Sequence, residues 1–138
     1  MQRIIALDVG DKRIGVAVSD LLGVTAQGVE TYHRVGSIKK DVEHIIELTE
    51  RYAPCKLLFG LPRNMDGSFG EQAEKVRKFA DAVLERFSGE HAFYDERLTT
   101  MAAKRVLLDA DVSRSKRKQV IDKLAAVMIL QSYMDGAH

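Results

Sequence analysis

The sequence predicts an α/β fold, one mixed sheet with helices on its faces, and three observations carry that prediction. Residues 3–20, RIIALDVGDKRIGVAVSD, read as a strand, a tight turn and a returning strand. Two later apolar runs, KLLF and HAFYD, each follow a segment of helical periodicity, as strands joined by crossover helices do. The order is therefore three strands, helix, strand, helix, strand, then two helices. A meander followed by βαβ crossovers closes into a single mixed sheet. At 138 residues the chain is one domain, 1–138, and it buries about two-thirds of the surface exposed when unfolded.

Ile4, Ile5, Ala6 and Leu7 form the short continuous apolar run of a strand buried on both faces, and Gly10 with Asp11 supplies turn chemistry. Ile14, Val16 and Val18 then alternate with smaller residues on the return leg. Residues 23–32, with Val24, Ala26, Val29 and Thr31, read as a third strand. Ser37 is placed as an N-cap, and Ile38, Val42, Ile45, Thr49 and Tyr52 recur at helical spacing until Pro54. Lys56, Leu57, Leu58 and Phe59 make a buried strand that ends at Gly60. After the loop LPRNMDGSFG, a helix shows its stripe in Ala73, Val76, Phe79, Ala80, Val83 and Phe87, and Ser88 with Gly89 stops it. The HAFYD strand, residues 91–95, leads to a helix beginning near Thr99 or Thr100. A last helix spans roughly residues 116–134 and is apolar nearly all round, which predicts packing on more than one side.

Composition narrows the setting. The single Cys55 excludes an intramolecular disulfide and a multi-cysteine zinc site and fits a reducing, cytoplasmic location. No apolar run approaches the length that spans a bilayer, and an opening core strand argues against a signal peptide. With a net charge of +1, any hold on a polyanion must come from a local patch. One such run holds Lys104, Arg105, Arg114, Lys116, Arg117, Lys118 and Lys123; taken alone, it reads as a solvated helix face. His33, His44, His91 and His138 are scattered without metal-ligand spacing, and Met101, Met128 and Met134 read as core filling.

Three carboxylate positions carry the chemistry. Asp8 lies at the mouth of a buried strand, where desolvating a charge is costly unless a cation or proton meets it. Asp122 interrupts the final apolar helix, sharing a face with Ala125, Ala126, Ile129 and Tyr133; the two alanines would let that face approach the sheet closely. The competing reading is an exposed pair with Lys118. The third acid is Asp95 or Glu96, and strand alternation lets only one of them face the side of Asp8. Spacing does not choose between them, and Asp95 also suits a helix-capping role.

Taken together, ALDVGDKRIGVAVSD, GLPRNMDGSFG, DERLTT and KRKQVIDKLAAVMILQSY resemble the YqgF family, also called RuvX, over nearly the whole chain. The resemblance implies a ribonuclease-H-like fold: a five-stranded mixed sheet, its first three strands antiparallel, flanked by helices. It selects Asp8, Glu96 and Asp122 as the acidic site, holding Mg²⁺ or Mn²⁺ for two-metal phosphodiester hydrolysis. It also implies 5′-end processing of pre-16S rRNA, a step of ribosome biogenesis. Crowded carboxylates repel one another, and hard oxygen-seeking ions relieve that repulsion while leaving places for water and phosphate.

Residues 61–70 lead into a helix N-terminus that favours anions. Arg63 and Asn64 in that loop, Lys12 and Arg13 at the first turn, and Arg97 after Glu96 are candidates for phosphate contact; Lys12 reads better as a solvated residue. Arg114, Lys116, Arg117 and Lys118 gain weight from lying beside Asp122. The expected partner is structured RNA, with the chain a monomer or weak homodimer. Branched DNA, in the manner of a Holliday junction resolvase, is the nearest competing substrate. The resolvases of this fold place two acids on the final helix, whereas Lys123, Leu124, Ala125 and Ala126 follow Asp122 here. A phosphotransferase of the actin-like class would need a second domain. A module that grips RNA without cutting it is the third class, separable by assaying Asp8→Asn.

Overall fold

A computed structural model of the chain describes residues 2–64, 66–96 and 114–136, with side chains in the last stretch from Lys123 onward. Its elements are β1 (Arg3–Val9), β2 (Arg13–Ser19), β3 (Ala26–His33), α1 (Ile38–Arg51), β4 (Cys55–Leu61), α2 (Glu71–Leu84), β5 (His91–Asp95) and α3 (Arg114–Asp135). The five strands form one sheet in the order β3-β2-β1-β4-β5. β1, β2 and β3 pair antiparallel, and β4 and β5 add in parallel with β1. The mixed sheet and its antiparallel opening are those the sequence implies.

Alternation along β1 divides the core. Ile5, Leu7 and Val9 join Leu57, Phe59 and Leu61 of β4 on the face covered by α1 and α2. Ala6 joins Ala17 and Leu58 on the other face, under Ala126, Ile129 and Leu130 of α3. Small residues on both surfaces let α3 lie close. Gly28 of β3 does the same for its earlier half, since an added Cβ would sit 2.8 Å from Cγ of Lys123.

Several boundaries differ from expectation. β3 starts at Ala26 rather than residue 23, because Asp20 Oδ1 accepts the Val24 and Thr25 amides at 2.8 and 3.3 Å and Gly23 takes a φ of 70°. Those contacts close a turn before pairing begins, and the Val24 amide is the main reason the Asp20 carboxyl titrates below its ordinary value. β4 continues through Gly60 to Leu61, which pair with Tyr94 and Asp95 of β5. α2 ends at Leu84, although Phe87 still packs on the core. α1 begins as expected, with Ser37 Oγ accepting the Lys40 amide at 3.3 Å, but Ile38 is exposed rather than on the buried stripe.

For the last helix, expected to pack on more than one side, the described side chains from Lys123 onward show two degrees of burial. Ala125, Ala126, Ile129 and Leu130 are buried against the sheet, while Leu124, Val127 and Met128 are half-buried. The helix expected near Thr99 or Thr100, with Met101, lies outside the described residues, as does His138. Cys55 is buried, and burial pushes its thiol up. Among the described residues, no helix is long and apolar enough to cross a membrane.

Candidate active site

The parallel strands β1, β4 and β5 all deliver their carboxyl ends to one end of the sheet, where side chains meet ligands most readily in folds of this kind. Asp8 lies one residue before the end of β1. It shares the parity of Ala6 and so faces the α3 side, opposite Gly15 of β2 in the antiparallel ladder. Glu96 follows β5 directly, two residues beyond Tyr94, which also packs on the α3 face. Between them runs β4. Gly60 pairs with Tyr94 and comes one residue after Phe59, the partner of Leu7.

Gly60 explains how Glu96 comes in from the sheet edge. A Cβ at this position would stand 2.9 Å from Glu96 Oε1, 3.0 Å from its Cγ and 2.6 Å from Cδ1 of Ile129. The glutamate side chain thus leans over β4, the strand separating β5 from β1, in space only a glycine leaves open. Asp95 has the opposite parity, and its Oδ2 lies 3.9 Å from Nη1 of Arg63. The choice that spacing left open falls, on geometry, to Glu96 for the face of Asp8.

Asp122 belongs to α3, four residues before the buried Ala126 and seven before the buried Ile129. Its side chain lies outside the described residues. The C-terminal part of α3 is anchored at the far end of the sheet. There Gln131 Nε2 donates to the Val24 carbonyl at 3.0 Å, and Lys56 Nζ donates to the Tyr133 hydroxyl at 2.6 Å. The helix therefore runs back from there, and its N-terminal half heads toward the end holding Asp8. Among the described residues, no three His, Cys, Asp or Glu side chains form a group able to hold an ion. The described part of the acidic set is the pair Asp8 and Glu96.

The candidates for phosphate contact divide in the same way. Arg63 shapes its own loop, donating from Nε to the Gly67 carbonyl at 2.8 Å and stacking its guanidinium 4.4 Å from the Phe69 ring centre. Asn64 closes that loop: its amide donates to the Ser68 carbonyl at 2.8 Å, and Nδ2 to the Ser68 hydroxyl at 3.0 Å. Gly67, at a φ of 88°, makes the bend. Arg13 stands at the hairpin turn, beside Lys12. Arg97 lies outside the described residues, as do the side chains of Arg114, Lys116, Arg117 and Lys118 in the first turns of α3.

Sequence reading missed a cluster on the α1 side of this sheet end. Asp41 is buried, and its carboxylate accepts from Arg34 Nε and the Tyr32 hydroxyl, both at 2.9 Å, and from the Val35 amide at 3.3 Å. Burial alone would raise its pKa, but these donors outweigh burial and hold the carboxyl below its ordinary value. Tyr32 is pushed up to about 12, mainly by burial and then by Asp41. Tyr32 also stacks on His44 with ring centres 4.1 Å apart. An aspartate in the first turn of an amphipathic helix looks like ordinary dipole compensation in sequence, so nothing there marked Asp41 as buried.

The model of the RuvX family, described as Holliday junction resolvase, matches residues 2–136. The chain belongs to the RuvX family. Among RuvX relatives, a protein of Heliobacterium modesticaldum named "Putative pre-16S rRNA nuclease" is 55% identical over 97% of this chain and 89% of its own length. One of the same name from Clostridioides difficile is 57% identical over 96% and 94%. Among solved structures, "T. thermophilus RuvC in complex with Holliday junction substrate" superposes with a TM-score of 0.64, at 15% identity, over 99% of this RuvX chain and 95% of that one. A fowlpox virus resolvase bound to Holliday junction DNA gives 0.50 at 14% identity, over 96% and 99%. At such identities these two likenesses speak to the fold, which is the ribonuclease-H-like one.

Proposed function

We propose that this chain hydrolyses phosphodiester bonds of structured RNA with the help of divalent metal ions, in maturing the 5′ end of pre-16S rRNA in the cytoplasm. The nuclease class follows from family membership. The observation that carries the rest is the leaning of Glu96 over Gly60, onto the face that Asp8 occupies. Two hard oxygen donors, at the ends of strands on either side of β4, suit Mg²⁺ or Mn²⁺ and suit softer ions poorly. Asp8 and Glu96, joined by Asp122, would hold the ions. Divalent ions held by these carboxylates would supply activation of a water and stabilisation of the leaving oxygen.

The rest of the work falls to the protein. Leu7 and Phe59, paired across β1 and β4 and buried in the core on the opposite face, anchor β1, which carries Asp8, and β4, over which Glu96 leans, at this end of the sheet. The loop closed by Asn64 and Gly67 brings Arg63 to the same end, where it can face phosphate. Arg97 and the α3 cations, Arg114, Lys116, Arg117 and Lys118, complete the track in this reading. A four-way DNA junction is the substrate to compare, given the family's description, with the chain acting as a monomer or weak homodimer.

The test is cleavage of a structured RNA carrying the 16S 5′ leader in Mn²⁺, by the full chain and by Asp8→Asn and Glu96→Gln. Cleavage that both substitutions and EDTA reduce at least 100-fold supports the reading. Equal cleavage by all three proteins would place the chemistry elsewhere, and faster cutting of a four-way DNA junction would transfer the substrate to DNA.

A further inference from the structure

On the other face of the sheet from Asp8, but at the same end, lies a cavity of about 710 Å³. Its walls are the β1–β2 turn, the end of β3, the start of α1 and the exposed side of α2. Five cations line it: Lys12, Arg13, Arg34, Lys75 and Lys78. Two carboxylates share the lining, and each already has a cation, Asp41 with Arg34 at 2.9 Å and Asp11 with Lys75 at 3.3 Å. Lys12 and Lys78 make no side-chain hydrogen bond or ion pair among the described residues.

The cavity also takes in the first turn of α1. Ser37 Oγ serves the Lys40 amide, whereas the Ile38 and Lys39 amides precede the first intrahelical acceptors and point out of the helix start. Excess cations, outward N–H groups and a helix dipole converge on one concave space, and the group that answers all three is a phosphate. An isolated helix end would say little. Here the cavity and the two unpaired lysines are separate observations, and both have the same sign.

We infer that this cavity seats a backbone phosphate of the nucleic-acid strand, away from the bond that is cut. What brings the phosphate rests on the nuclease reading above; the anion site itself does not. The turn at residues 10–12 forms one wall of the cavity and follows Asp8 by two residues, so a strand crossing the sheet end reaches both faces. Lys12, which reads as a solvated residue in sequence, becomes a phosphate ligand, and Lys78 of α2 joins it from a helix face that gave no such signal.

The experiment is done in EDTA, so that binding is read without cleavage. Inorganic phosphate is titrated into the ¹⁵N-labelled full chain, following the Ile38 and Lys39 amides, and binding of a single-stranded RNA is measured across a salt series. Lys12→Ala and Lys78→Ala are compared with the Lys→Arg forms at both positions. Both lysines are exposed, so truncation leaves the core intact. The expected result is a phosphate-dependent shift of both amides that the alanine variants lose. With it comes a fall of about one in the log–log salt slope per lysine, restored by arginine.

Amide shifts without any change in the RNA slope would mean that the cavity takes a free anion, which overturns the strand assignment. Neither response would overturn the site altogether. If RNA is cut but the variants behave as wild type, this inference alone fails. If the variants respond but no nucleic acid is ever cut, the nuclease reading alone fails.

Discussion

Gly60 has no side chain because two other groups occupy the space it would fill. Alanine there would drive Cβ to 2.6 Å from Ile129 Cδ1 and 2.9 Å from Glu96 Oε1, so something must move. Gly60→Ala is expected to cost about 1–3 kcal/mol through overpacking and to slow RNA cleavage about 10- to 100-fold by displacing Glu96. Adding Ile129→Val relieves the first clash and not the second. Urea unfolding should therefore recover in the double variant while the cleavage rate does not, and recovery of both would make Gly60 a packing residue only. Asp41 makes a separate prediction. Its folded pKa lies below the ordinary 3.8, so its stabilisation is complete above that value and is lost as pH falls through the folded one. Asp41→Asn should cost about 2–3 kcal/mol at neutral pH, because Arg34 and Tyr32 lose a charged acceptor. The gap between the two urea curves should close in strong acid; a gap independent of pH would show that the charge plays no part. In sequence, Gly60 reads as the end of a strand and Asp41 draws no notice, because sterics across strands and burial at a helix start have no local signature.

Among elements, α3 depends most on fine fit. Ala126 is fully buried on Ala6, Ala17 and Leu58, and nothing longer fits without lifting the helix. Ala126→Leu should destabilise the fold by about 1–3 kcal/mol and lower activity, since the same helix carries Asp122 one turn earlier. Val127→Leu, at a half-buried position, should stay within about 0.5 kcal/mol of wild type. Thermal unfolding of the pair tests this, and equal losses would mean that α3 does not seat through its alanines. The two alanines on the Asp122 face were legible as a close-packing surface, and burial of Ala125 and Ala126 accords with that. The strand and helix order was legible too, because each run kept one period along its length. What misled was turn chemistry: Val24 alternates like a strand residue, but Asp20 captures its amide.

For the whole molecule, polarity of the sheet matters more than any single contact. Three parallel strands end together, so acids, loop and cationic cavity are gathered at one end. The face shared by Asp8 and Glu96 could not be read from spacing alone, since it depends on which side α3 covers, a fact of tertiary packing.

That polarity sets the opposite end of the sheet apart from Asp8 and Glu96. Leu22, 70% exposed, sits there in the turn between β2 and β3. Cys55, the one thiol in the chain, is buried and resists ionising. A Leu22→Cys protein should accept a maleimide dye at a single place and cleave RNA at the unlabelled rate, checked by mass spectrometry and a turnover assay. Such a reporter would let substrate arrival be watched by energy transfer from the end of the sheet remote from Asp8.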